Sequence, residues 1–177
     1  MRSYCPLHGI YFDFCEKCAY GQSFLAGPKK GEPAFSKIES FYVIGSLRNP
    51  EIVQFANELQ ALGYEAFADW KSAGPDADDF LRDYSKDRGL NYKQALQTPA
   101  AKNIFQFDKF HLDRTDAAVF LMPGGRSAHL ELGYTIGKGK PGFIVFDKEP
   151  ERVDVMYQFA TEIFFSKLEF FEYLKNQ

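Results

Sequence analysis

Cys5, His8, Cys15 and Cys18 form two ligand pairs, each with two residues between its members. That spacing lets one tight turn present two side chains to one ion, and four such donors complete a tetrahedral zinc site. All three cysteines of the chain fall in this motif, with His8 as the fourth donor. The competing reading is three unrelated thiols and a surface imidazole. Four protein donors leave no open coordination position, so the expected Zn2+ is structural. The segment has few basic residues, which argues against a nucleic-acid-binding knuckle.

A second constellation is Pro-Gly124-Gly125-Arg126-Ser127-Ala-His129-Leu-Glu131-Leu-Gly-Tyr134. A Gly-rich turn between a strand and a helix exposes backbone N–H groups at the helix N-terminus, where an anion or a ribose can sit. Gly124, Gly125, Arg126 and Ser127 are candidate substrate contacts on this ground. Glu131 lies about one turn into the helix. It either complements the helix dipole or supplies a reactive carboxylate. A third constellation is Gly45-Ser46-Leu-Arg48-Asn-Pro50. A hydroxyl and a guanidinium flanking a helix start suit a phosphate; the alternative is a helix cap and a surface arginine. Asp69 and Trp70 stand at another strand end. Trp70 and Tyr134 either stack on a base or belong to the core. His129 reads as structural or oligomer-facing, and His111 as a solvated helix residue.

These residues need elements to position them. Short apolar runs predict strands at 41–45, 64–69, 117–122, 142–146 and 162–165. Helical spacing of Ile52, Phe55, Ala56, Leu59 and Leu62 predicts a helix from Pro50 to Gly63. Further helices are expected at 127–137, 154–159 and 168–174, and residues 76–112 read as polar with helical stretches. Strands alternating with helices imply an α/β fold: a five-stranded parallel, Rossmann-like sheet in flavodoxin-like order, with helices on both faces. Ligands bind such sheets at the carboxyl ends of the strands. The chain divides into a zinc-binding hairpin (1–26), a Gly/Pro/Lys linker (27–36) and the α/β domain (37–177).

The chain has 177 residues and a net charge of -3, which argues against a broad basic face for duplex nucleic acid. No apolar run approaches twenty residues, so no membrane span is expected. Neither a leader-like apolar run nor a paired cysteine framework is evident, which points to a reducing, cytoplasmic setting.

The aromatic strand Tyr42-Val-Ile-Gly-Ser46-Leu-Arg48, the later Glu131-Leu-Gly-Tyr134 and Gly-Lys-Pro before the next strand resemble the nucleoside 2-deoxyribosyltransferase family. They are similar also to its branch of 2'-deoxynucleoside 5'-monophosphate N-glycosidases. The likeness spans about residues 40–146. It implies that Glu131 is the nucleophile on the sugar anomeric carbon and that Tyr42 positions it. It implies that Asp108, with Asp113 as the rival, contacts the base, and that Ser46 and Arg48 hold a 5'-phosphate. It also implies a homo-oligomer, a dimer or larger, with sites completed by a neighbouring subunit. No organic cofactor is expected. The loop before Glu131 lacks the acidic residue usual in deoxyribosyltransferases, and the zinc hairpin is foreign to the basic pattern.

The expected activity is cleavage or transfer at the N-glycosidic bond of a nucleoside or nucleoside 5'-monophosphate, through an oxocarbenium-like state. The alternatives are a non-catalytic nucleotide-sensing module, a glycohydrolase of NAD-like dinucleotides on the same fold, and a zinc-dependent interaction protein.

Overall fold

The computed structural model describes residues 37–177 and, before them, only two short strands, β1 (Ser3–Cys5) and β2 (Ile10–Phe12). The chain separates into two compact units, Met1–Ser36 and Lys37–Gln177. In the first unit β1 and β2 pair antiparallel, Cys5 opposite Ile10. Of the expected zinc ligands, His8, Cys15 and Cys18 lie outside the described residues, as does the expected linker. Only the backbone position of Cys5 in β1 is described.

The second unit is built on β3 (Ser40–Ile44), β4 (Glu65–Phe67), β5 (Ala117–Leu121), β6 (Gly142–Val145) and β7 (Glu162–Phe164). The order across the sheet is β4-β3-β5-β6-β7, and every neighbouring pair is parallel. This is the expected α/β class and strand order. β3, β5 and β6 are buried along their whole lengths, because helices cover both faces. On one side α1 (Ile52–Ala61) and α6 (Lys167–Lys175) pack against Phe41, Val43, Val119 and Phe143. On the other, α4 (Pro99–Arg114) and α5 (Arg126–Gly137) pack against Tyr42, Ile44, Phe120 and Ile144.

The polar stretch after β4 resolves into three helices, and local chemistry separates them. α2 (Ala77–Asp87) ends before Gly89, whose φ of 67° no β-carbon favours. α3 (Tyr92–Leu96) opens on a reciprocal cap between Asn91 and Gln94. α4 opens on Thr98, whose Oγ1 accepts from Ala101 N, with Pro99 at its first position. Two expected boundaries differ. Asp69 does not end a strand but opens a 3-10 turn, Asp69–Ala73, in which Ser72 Oγ donates to Asp69 O at 2.7 Å. Residues 155–159 are likewise a 3-10 turn rather than an α-helix.

Asp116 locks the register between β3 and β5. Its Oδ2 accepts from Glu39 N, Ser40 N and Ser40 Oγ at 3.0, 3.0 and 2.9 Å, and Ser40 Oγ accepts from Asp116 N at 2.9 Å. Burial opposes its ionisation, yet these donors outweigh burial and hold its pKa below the usual value. Asp116→Ala should therefore lower unfolding stability by ~1–3 kcal/mol, the range for stranding hydrogen-bond partners, as read from chemical denaturation midpoints. A change smaller than a few tenths would show that β3 needs no such lock.

Candidate functional site

Side chains alternate between the two faces along a strand. In β3, Phe41 and Val43 face α1 and α6, so Tyr42 and Ile44 face α4 and α5. On α4, Asp108 stands four residues before the buried Leu112 and shares its stripe. On α5, Glu131 stands three residues after the buried Ala128 and four before the buried Thr135. Each helix thus places a carboxylate at a core-facing position, against the layer into which Tyr42 projects. Tyr42 is 1% exposed.

The three groups sense one another. Burial first, then the charges of Glu131 and Asp108 and contact with Asp108, push the Tyr42 pKa far up. The phenol is therefore a fixed donor. Burial, then the charge of Asp108, raises Glu131 from 4.5 to about 8. Burial also raises Asp108, and the Tyr42 hydroxyl offsets part of that rise. Yet Asp108 Oδ1 is buried without a hydrogen-bond partner, so the Tyr42–Asp108 contact leaves acceptor capacity unused. Buried acceptors without a partner are few in folded proteins.

An aromatic wall adjoins these groups. The Phe67 ring lies 5.3 Å from Tyr42, 5.7 Å from Phe107 and 3.6 Å from His111, with His111 stacked at 7°. His111 is thus not a solvated helix residue: it packs on Phe67, and its Nδ1 accepts from Arg114 Nε at 2.8 Å. Phe107 is 46% exposed beside Asp108 and was not singled out by sequence. Its signal was a carboxylate on an apolar helical stripe flanked by Phe105, Phe107 and Phe110.

The other candidates fall into separate places. At the end of β3, Ser46 Oγ accepts from Arg48 N at 3.1 Å, and Lys71 Nζ donates to Leu47 O. At Gly45 a β-carbon would stand 2.3 Å from Ile52 Cδ1, so the buried Ile52 side chain would have to shift. Arg48 Nη2 reaches Asp79 on α2 at 2.8 Å. Gly124 lies against the Phe120 ring, where a β-carbon would be 2.3 Å away. Gly125 caps α5 with no side-chain partner for the first N–H groups. Gly124, Gly125 and Arg126, with His129 and Leu130, line an open depression of about 630 Å³, and Ser127 is exposed beside it. His129 is clipped between Gly125 O at 2.9 Å and the Tyr157 hydroxyl at 3.0 Å.

Trp70 donates its indole N–H to Val43 O at 2.8 Å and packs on both core layers. It is a core contact in this structure. Asp69 is exposed at the start of its turn. Asp113 is engaged elsewhere: it pairs with Lys109, accepts from the Tyr134 hydroxyl at 2.6 Å and stands 3.6 Å from Lys138. Lys109 first, then Tyr134, pull it down to about 2. Asp108, not Asp113, is therefore the acid that shares a layer with Tyr42 and Glu131.

No family model matches the chain, and no curated protein matches its sequence. Solved structures similar to it include two proteins. One is a conserved protein from Enterococcus faecalis V583, 14% identical over 79% of this chain and 99% of that one, with a TM-score of 0.51. This likeness is one of fold. The other is a 2-deoxyribosyltransferase from Bacillus psychrosaccharolyticus, 16% identical over 66% of this chain and 78% of that one, with a TM-score of 0.42. Among the described residues no helix is long and apolar enough to cross a membrane.

The raised Glu131 pKa has a consequence for stability. The folded state holds this proton more tightly than the unfolded one, so the contribution is complete below about 4.5 and is lost as pH rises to about 8. Glu131→Gln cannot ionise and should escape that loss. Relative to the parent it should gain on the order of a few kcal/mol above pH 8 and little below pH 4.5. Thermal melts across pH check this; parallel curves for the two proteins would contradict it.

Proposed function

We propose that the protein cleaves or transfers the N-glycosidic bond of a nucleoside or nucleoside 5'-monophosphate. The observation that carries the reading is the meeting of Glu131, Asp108 and Tyr42 in one desolvated layer, with one carboxylate oxygen unpartnered. Burial, and for Glu131 the charge of Asp108, oppose ionisation of these carboxyls. A proton is therefore retained among them, and a departing base needs one.

Glu131, as carboxylate, attacks the anomeric carbon from below the ring. A C–O bond forms while the C–N bond breaks, and its electron pair leaves with the base. Asp108 gives its proton to the base nitrogen. Tyr42 keeps its own proton and orients the carboxylates. Water, or a second base, then attacks the anomeric carbon, returns a proton to Asp108 and frees Glu131. Phe107, half exposed, offers a flat apolar face for the base, backed by the buried Phe67. Ser46 and Arg48 would hold a 5'-phosphate, and Gly125, Arg126 and Ser127 would face the sugar side. The exposed Phe80, Phe105, Phe110 and Leu130 support assembly into a homo-oligomer. The N-terminal Cys/His motif is read as a structural zinc hairpin.

Incubation with a panel of nucleosides and monophosphates should release free base. Glu131→Gln and Asp108→Asn should each lower kcat at least about 100-fold, the scale of one acid–base or nucleophilic group. No base from any substrate, with Glu131→Gln equal to the parent in ligand binding, would overturn the proposal. The rate should also depend on pH. Attack needs Glu131 ionised while Asp108 keeps its proton, so kcat/KM of the free enzyme should pass through a maximum with pH, rising as the first of the two carboxyls ionises and falling as the second does. A profile flat from pH 6 to 9 would remove Glu131 as nucleophile. The zinc reading predicts about one zinc per chain by elemental analysis, lost in Cys15→Ser; a full complement retained there would discard it.

A further inference from the structure

We propose that Asp79 determines whether the site accepts an anionic substrate, because its carboxylate occupies the seat that a 5'-phosphate would take at Arg48. The inference rests on reading the loop after β3 as a phosphate subsite. Asp79 is held by two guanidinium groups. Its Oδ2 accepts from Arg48 Nη2 at 2.8 Å, and its Oδ1 from Arg82 Nη1 at 2.7 Å. A carboxylate between two arginines and a phosphate between two arginines use the same planar donors. Arg48, the charged group of the loop, is therefore neutralised from within by a residue of α2.

Two observations make this contact displaceable. First, the pair is open to water: the side chains of Arg48 and Asp79 are 58% and 37% exposed. Ion pairs of this kind contribute ~0–1 kcal/mol, and a phosphate near a double negative charge competes well against one carboxylate. Second, α2 is lightly held. Ser85 is its sole buried residue, while Phe80 and Tyr84 are exposed. A helix with so few buried contacts belongs to the low-stability part of a fold and can yield when Arg48 changes partner. Arg82 does not lose its anchor when this happens, because its Nε and Nη2 also grip Asp83 at 2.8 and 3.1 Å. An uncharged nucleoside leaves the Arg48–Asp79 contact in place. A monophosphate must break it. Asp79 thus biases the site toward substrates without a 5'-charge.

The test is binding of one nucleoside and its 5'-monophosphate to the parent, Asp79→Asn and Arg48→Gln, by calorimetry in which all three proteins also carry Glu131→Gln so that none turns the ligand over. The ratio of monophosphate to nucleoside affinity should rise about two- to five-fold in Asp79→Asn and fall below the parent's in Arg48→Gln. Asp79→Ala, which also removes the shape, should repeat the rise. An unchanged or lowered ratio in both Asp79 variants overturns the inference. If the parent with Glu131 intact still releases base, the functional reading survives that result. If the parent binds neither ligand and, with Glu131 intact, releases no base, the functional reading fails and takes this inference with it.

Discussion

Everything about the candidate site depends on keeping two carboxylates and a phenol out of water in one layer. Charged groups buried in this way are destabilising unless paired or neutralised. Here neutralisation takes the form of a retained proton, with Glu131 raised to about 8 and Asp108 raised as well. Tyr42 contributes a donor that cannot ionise beside them. The arrangement is a poor choice for stability and a good one for moving a proton, which is the usual signature of a functional cluster.

The fold holds that cluster from both ends. At the amino end of the sheet, Asp116 ties the starts of β3 and β5 together and fixes which residues of β3 face α4 and α5. A slip of one residue would turn Tyr42 to the wrong face. At the carboxyl end of α4, Lys140 Nζ donates to the carbonyls of Leu112, Asp113 and Thr115 at 3.0, 2.5 and 2.6 Å. A cation there satisfies carbonyls that the helix leaves open and complements its dipole. Asp108 sits just over one turn upstream of those carbonyls. The clamp fixes the end of the helix that carries Asp108.

Much of this was legible before any coordinates. Five apolar runs, each with a Gly, Pro or polar break after it, announced five strands, and their alternation with helical patterns announced a parallel sheet. Glu131 was marked by its place behind a Gly-rich turn, and Tyr42 and Asp108 by resemblance. The polar stretch 76–112 was harder. Its helices are separated by caps at Asn91 and Thr98 and by Gly89, which are local signals, but their docking depends on tertiary contacts that no periodicity announces. Trp70 was ambiguous for a similar reason. An indole near a strand end can face a ligand or the core, and its bond to Val43 O, a carbonyl distant in sequence, decided for the core. Likewise Asp113 and Asp108 are both acids on α4, and they differ only in neighbours: Lys109, Tyr134 and Lys138 for one, Tyr42 and Glu131 for the other.

The retained proton bears on the order of events in the proposed reaction. In the free site burial favours the protonated form of Glu131, which must release its proton to water before its carboxylate can attack. Bond cleavage builds positive charge on the sugar beside it, and a nearby positive charge favours the ionised carboxylate. The same cleavage builds negative charge on the departing base, which favours proton donation from Asp108. Both changes push in the directions the chemistry requires, and both grow as the C–N bond lengthens. Interactions that strengthen only as the transition state forms are the ones that accelerate a reaction. A pair of ordinary, fully ionised surface carboxylates would gain little from that coupling, because water would already have stabilised them. Burial destabilises the charged ground state, and the reaction itself relieves it.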